Sequence, residues 1–108
     1  MGRDSVPQDI SDIDLDQEPL SLPHARKLLL HIIDVGTIYY TDHAVEQMGK
    51  PERDLCATDC LNVLRAGRVA QVDYVEGAWR HRVETGTMAV VVEFESCEGV
   101  LVITAWRF

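Results

Sequence analysis

The spacing of apolar residues along the 108-residue chain changes once, after Ala66, from a helical period to a strand period. Before that point the apolar positions recur every three or four residues, which is typical of amphipathic helices. They predict one helix over 21–35, which Ser21 can cap, and a second helix, which Asp42 can cap. They also predict a third helix, which starts at about Glu52 or Thr58 and ends at Ala66.

From Arg68 onward the period is two, and four alternating runs follow one another. The spacers at 76–77, 85–86 and 96–99 are short and rich in turn-forming residues, so they predict hairpins. A short run of β-branched and aromatic residues at 37–41 predicts one further strand at the sheet edge. The pattern therefore predicts an α+β domain, in which N-terminal helices pack on a four- to five-stranded antiparallel meander sheet.

Residues 1–20 form a polar segment without hydrophobic periodicity, and they carry six acidic residues and one basic residue. The rest of the chain, 21–108, has a net charge of only −3 out of the total of −8. We therefore predict an acidic disordered leader over 1–20 and a single domain over 21–108. The leader could alternatively fold over a basic site or dock a partner. The acidic start does not fit a signal peptide and no apolar run approaches ~20 residues, so we expect a cytoplasmic protein without membrane contact.

Three cysteines, Cys56, Cys60 and Cys97, make an odd count that argues against a disulfide framework. Cys56 and Cys60 are four residues apart and would share one face of a helix. They are either half of a metal site or two small apolar residues, and the chain has no second pair with matching spacing. We therefore expect no metal and no cofactor.

The predicted strand AWRHRVE places Arg80 and Arg82 on one face of the sheet, because successive side chains alternate. A guanidinium group is planar, permanently charged and able to donate two parallel hydrogen bonds, which suits a phosphate. The alternative is a solvated face, on which the two arginines pair with acidic residues across the strands: Glu84, Glu93 or Glu95.

Several other residues could complete such a site. His43 follows the predicted helix cap, where an anion is favoured and an imidazole could transfer a proton; it could also be an ordinary surface residue. His81 is an equal candidate for the proton carrier. Trp106 could stack on a nucleobase or belong to the core, and Arg107 could join the two arginines.

Histidines combined with arginines suit cleavage of a phosphodiester without a metal. The 2′-hydroxyl of RNA attacks the phosphorus, one group accepts its proton, another protonates the leaving 5′-oxygen, and positive charge stabilises the transition state. The mild acidity of 21–108 argues against this function, because nucleic-acid binders normally carry a basic excess.

The stretches YYTDHAVEQM, DLCATDCLNVLRAGRV, YVEGAWRHRVE, MAVVVEFE and GVLVITAWR follow one another over about 37–108. In that order they resemble a family of small bacterial domains of unknown function allied to RelE/MqsR-type toxins. The shared pattern is a T-x-H-A helix start, a helix that ends before G-x-V, a strand with Y/W-R-x-R, and a last strand ending T-x-W/Y. Gln47 departs from it, since the family often has an arginine there.

The resemblance implies a barnase/RelE-like fold and a metal-independent endoribonuclease, an mRNA interferase-like toxin. By position it implies His43 as general base or acid, Arg80 and Arg82 as ligands of the scissile phosphate, and Thr104 as a residue that orients it. RNA and a cognate antitoxin would be the partners. The competing hypothesis is a non-catalytic protein-interaction or regulatory module on the same fold. An exposed strand edge at 68–75 also makes a homodimer plausible.

Overall fold

The computed structural model describes residues 10–108 of the chain. It has an α+β architecture, as the sequence predicts. In chain order its elements are a 3₁₀ helix (Leu15–Gln17), α1 (Leu22–Val35), β1 (Thr37–Tyr40), α2 (Asp42–Met48), α3 (Ala57–Ala66), β2 (Arg68–Val75), β3 (Ala78–Glu84), β4 (Met88–Ser96) and β5 (Gly99–Arg107).

The five strands form one sheet in the order β1-β5-β4-β3-β2. Strands β2 to β5 make the predicted antiparallel meander, with each strand paired to the next. β1 lies at the edge, but it runs parallel to β5, with Thr37 opposite Gly99 and Tyr40 opposite Val102. The prediction of a wholly antiparallel sheet is therefore wrong. A parallel pair needs a long crossover, and here two helices and three strands separate β1 from its partner.

Two helix starts show how local chemistry sets the boundaries. The Ser21 hydroxyl accepts a hydrogen bond from the N–H of His24 at 3.2 Å, so the predicted cap of α1 is confirmed. The predicted cap of α2 is wrong by one residue. Thr41 caps this helix through a 2.9 Å bond from the N–H of Ala44, and Asp42 is its first helical residue. An acidic side chain in the first turn is favoured by the helix dipole.

The core lies on one face of the sheet, beneath α1 and α3. The strands contribute fully buried valines and the helices fully buried leucines and an isoleucine: Val83, Val90, Val92, Val100, Val102, Leu28, Leu29, Leu64 and Ile32. Burying each such side chain stabilises the fold by about 1.5–3 kcal/mol. One polar residue, His81, is buried among them.

The segment before α1 packs on the domain. Ile13 and Leu20 are only 8% and 4% exposed and belong to the core cluster. The Asp12 carboxylate lies 3.2 Å from His24 Nε2 and 3.6 Å from Lys27 Nζ, both on α1. Residues 10–20, which the sequence assigns to a disordered leader, thus pack on the folded domain. Their apolar side chains Ile13 and Leu20 are buried in the core cluster. The remainder of that predicted leader lies outside the described residues.

Within residues 10–108, no helix has the length and apolar character needed to cross a membrane.

Candidate functional site

The sheet face opposite the core carries a hollow of about 260 Å³, which we call the open-face hollow. Side chains from four consecutive strands of the meander line it: Asp73, Val75, Arg80, Arg82, Val91, Ile103, Thr104 and Trp106. It combines an apolar floor with a small number of polar groups, the composition typical of ligand sites.

Two local features of the strands build this hollow. In β3 the alternation of side chains directs Arg80 and Arg82 away from the core, whereas the residue between them is fully buried. In β5 the register slips: Val91 pairs with Thr104, but the next residue of β4 pairs with Val102. Ile103 is therefore an extra residue in a β-bulge. Bulges bend a strand and redirect its side chains, so Ile103 and Thr104 both line the hollow.

Each of the two arginines is tied to a glutamate through its Nε atom. Arg80 Nε donates a hydrogen bond to Glu93 Oε2 at 2.9 Å. Arg82 Nε lies 3.1 Å from Glu84 Oε2, but this ion pair does not have hydrogen-bond geometry, so the N–H is left unsatisfied. The terminal nitrogens of both guanidinium groups have no partner among residues 10–108. The arginines can therefore pair with glutamates and still bind a phosphate, because each glutamate lies only at the Nε edge of its guanidinium.

The charge around the hollow is nearly balanced. Arg80 and Arg82 face the carboxylates of Glu84, Glu93 and Asp73, but Glu84 also lies 3.5 Å from Arg68 Nη2. Asp73 accepts a 2.8 Å hydrogen bond from the Gln71 side chain. An anionic ligand would therefore bind to oriented donors rather than to a strong positive field.

Arg53, from the loop between α2 and α3, also reaches this site. Its Nη1 atom donates to Thr104 Oγ1 at 3.3 Å and to the Ala105 carbonyl at 2.9 Å. No periodicity or motif marks this arginine in the sequence, since it lies in an irregular segment about fifty residues before its partners. Only its isolated positive charge near Glu52 and Asp54 could have drawn attention to it.

Arg107 does not line the hollow. It donates from Nε to the Arg53 carbonyl and from Nη2 to the Asp54 carbonyl, each at 3.2 Å, and Nη2 lies 3.8 Å from Asp59 Oδ2. The predicted substrate ligand Arg107 therefore holds the 49–56 loop against the end of β5.

The two histidines proposed for proton transfer also lie outside the hollow. His43 is exposed in the first turn of α2. His81 is 0% exposed on the core face, with its ring edge against Phe94 at a centroid distance of 5.3 Å. Burial lowers the pKa of His81 and favours the neutral ring. The nearby Leu20 backbone opposes this shift without making a hydrogen bond to either ring nitrogen.

The cysteines lie apart from this site. Cys56 is exposed at the start of α3, whereas Cys60 is buried with its sulfur 3.8 Å from that of Met48. Burial raises the pKa of the Cys60 thiol to about 11, so this side chain behaves as a small apolar residue. In the part of the chain that the structure describes, no three His, Cys, Asp or Glu side chains are grouped to hold a metal ion.

The structure thus gathers Arg80, Arg82, Thr104 and Trp106 in one hollow and places His43, His81 and Arg107 elsewhere. No protein-family model matches this chain, and no curated protein or solved structure is significantly similar to it.

Proposed function

We propose that the open-face hollow binds single-stranded RNA and that the chain is a metal-independent endoribonuclease of the RelE/MqsR toxin type, with a barnase/RelE-like fold. One observation supports this most: Arg80, Arg82, Thr104 and Trp106, which the resemblance or the residue chemistry singled out separately, line the same hollow. In the proposal the two guanidinium groups bind a phosphate, the hydroxyl donates to it, and the indole stacks on a base.

The paired glutamates help this arrangement in one respect and oppose it in another. Because Glu93 accepts a hydrogen bond from Arg80 Nε and Glu84 forms an ion pair with Arg82, both guanidinium groups are restrained before a ligand arrives, which lowers the entropic cost of binding. The same carboxylates repel a phosphate, so affinity depends on stacking as well as charge. Stacking of a base on an aromatic ring contributes about 1–3 kcal/mol.

Cleavage needs more than this binding surface. A new bond forms between the 2′-oxygen and phosphorus, the bond from phosphorus to the 5′-oxygen breaks, and a proton moves from the first oxygen to the second. His43 is the candidate that the resemblance implies for this proton transfer. Because His43 lies at the start of α2 and does not line the hollow, an RNA strand must extend from the hollow to that helix.

A second candidate function is a non-catalytic protein-interaction module. It is favoured by the same glutamate pairs, which neutralise both arginines, and by the presence of Trp106 and two arginines, because tryptophan and arginine are enriched in binding hot spots. Among the strands of residues 10–108, β2 lies at the sheet edge and pairs only with β3, so it offers backbone groups to a partner chain or a second copy.

The decisive experiment measures RNA binding and RNA cleavage separately, with chelator present. Binding of a fluorescent single-stranded RNA at low salt is compared for the wild type, Arg82→Met and Arg65→Met. Each variant loses one positive charge. Arg65 is a suitable control because it is exposed at the end of α3, outside the hollow. We expect Arg82→Met to weaken binding by about tenfold and to reduce the salt dependence by about one ion.

The control variant Arg65→Met should change affinity by less than about twofold, because a distant charge is screened. His43→Ala should abolish cleavage and leave binding intact. Equal affinities of Arg82→Met and the control, or no RNA binding by the wild type, would reject the RNA proposal. RNA binding by the wild type without cleavage under any of these conditions would reject the nuclease and leave a binding module.

A further inference from the structure

We infer that Arg53 is a positioning residue of the open-face hollow, which holds the Thr104 hydroxyl as a hydrogen-bond donor to a bound phosphate oxygen. This inference rests on the proposed function and adds a third donor to the two guanidinium groups. It also gives a role to the 49–56 loop, in which Glu52 is one of the two predicted starts of α3, although that helix begins at Ala57.

The position of Arg53 is set at both ends. Its backbone carbonyl and that of Asp54 accept hydrogen bonds from the Arg107 side chain, each at 3.2 Å. Asp54 has a φ of +46°, in the left-handed region, and its N–H donates to the Lys50 carbonyl at 2.8 Å. From this tied loop the Arg53 side chain reaches β5, where Nη1 donates to the Ala105 carbonyl at 2.9 Å. The Arg53 guanidinium is thus held by β5, the same strand that carries Thr104.

The direction of the Thr104 hydroxyl proton follows from hydrogen-bond chemistry. A hydroxyl has one donor hydrogen and two acceptor lone pairs, and a guanidinium can only donate. Because Arg53 Nη1 donates to Thr104 Oγ1 at 3.3 Å, the hydroxyl acts as the acceptor in that contact and its own hydrogen must point elsewhere. Among residues 10–108 the Thr104 hydroxyl has no acceptor of its own. Thr104 lines the hollow, so the hydrogen is available to a ligand there.

The chemical class of the ligand follows from the resulting set of donors. Arg80 and Arg82 from β3 and Thr104 from β5 present hydrogen-bond donors around one hollow, and the positively charged Arg53 guanidinium donates to the Thr104 hydroxyl oxygen. A tetrahedral anion with several acceptor oxygens, such as the phosphodiester of RNA, matches this set better than a neutral ligand does.

The test is a double-mutant cycle on RNA affinity, with chelator present, that combines Thr104→Val with Arg53→Met. The matched control is Arg26→Met. Arg26 also donates to backbone carbonyls, those of Leu64 and Arg65 at 2.9 and 2.6 Å, but it joins α1 to α3 away from the hollow. In the wild-type and Arg26→Met backgrounds, Thr104→Val should weaken binding by about tenfold. In the Arg53→Met background it should weaken binding by only about twofold.

A second measurement does not depend on RNA. The side-chain rotamer of Thr104, read from three-bond NMR couplings, should be single in the wild type and in Arg26→Met and averaged in Arg53→Met. Arg53→Lys keeps the charge but loses the forked geometry, and it should restore the rotamer only in part. It also serves if the methionine variant does not fold.

The outcomes separate the two claims. A Thr104→Val penalty that is the same in all backgrounds, or an unchanged Thr104 rotamer without Arg53, overturns the positioning role. If the wild type binds no RNA, the proposed function fails, and the rotamer measurement alone then decides whether Arg53 orients the hydroxyl.

Discussion

One face of β3 is partly open to solvent, whereas the other face is buried in the core. Arg80 and Arg82 lie on the open face with side chains 25% and 35% exposed, whereas His81 and Val83 lie on the core face and are 0% exposed. The guanidinium groups are permanently charged, and each lies beside a glutamate carboxylate and remains partly open to solvent. The ring nitrogens of His81 are buried without a hydrogen-bond partner among residues 10–108, and burial lowers the pKa of the ring, which favours its neutral form. The charge state and hydrogen bonding of a polar residue in this sheet therefore depend on the face it occupies as well as on its residue type.

The energetic consequences of the two faces also differ. An unsatisfied buried polar group costs about 1–3 kcal/mol, so His81 is a local cost that the surrounding apolar packing must offset. The partly exposed ion pairs of the open face contribute little, about 0–1 kcal/mol each, because water screens them. The core face thus determines stability, and the open face can be changed with small effects on folding.

The largest effect is expected from placing the same charge on each face in turn. Val92 is fully buried on the core face, and its neighbour Val91 lines the open-face hollow. Val92→Asp should lower the free energy of unfolding by about 4 kcal/mol or more, because an unpaired carboxylate cannot be buried without cost. Val91→Asp should lower it by about 1 kcal/mol or less. Urea denaturation measures both, and similar losses for the pair would contradict the assignment of the two faces.

A smaller effect is expected from the titration of His81. Because its folded-state pKa lies below the ordinary value of about 6.5, the unfolded state binds more protons as the pH falls. The stability that neutral His81 allows is present above pH ~6.5 and is lost below it, by at most about 1.4 kcal/mol per pH unit. His81→Leu should remove this dependence, whereas His43→Gln, at an exposed site, should retain it. The urea denaturation midpoints of the wild type and His81→Leu are compared between pH 5 and 8. If both midpoints change with pH in the same way, His81 does not cause the pH dependence of stability.

The smallest effect concerns the charge balance of the hollow. Glu93→Gln keeps the size of the side chain but releases Arg80 from its carboxylate partner at 2.9 Å. It should raise RNA affinity by about two- to fivefold at low salt, with little gain at high salt. Glu95→Gln is the matched control, since Glu95 is exposed two residues along the same strand and no described ion pair includes it. An equal gain for both variants would show that only net charge matters.

Features that depend on near neighbours along the chain were predictable. The boundaries of α1, the meander of β2 to β5 and the shared face of Arg80 and Arg82 follow from period, caps and turns. The placement of Thr104 and Trp106 on one face also follows from alternation. These predictions succeed because a helix or a hairpin forms from contacts within a few residues.

Features that depend on distant contacts were not predictable. The parallel pairing of β1 with β5 joins residues about sixty positions apart, and burial of Ile13 and Leu20 depends on a surface built by later elements. The bulge at Ile103 leaves no mark in the alternating pattern of its strand. The contact of Arg53 with Thr104 likewise exists only after the loop and β5 have met.

The sequence by itself determined the α+β class, the order of the elements and, outside the bulges, which side chains of each strand share a face. Only the tertiary structure decided that His81 belongs to the core and that Arg53 reaches the hollow. The physical reason is that hydrophobic period and capping are local properties of the chain. Desolvation and the meeting of side chains from separate elements are properties of the packed whole.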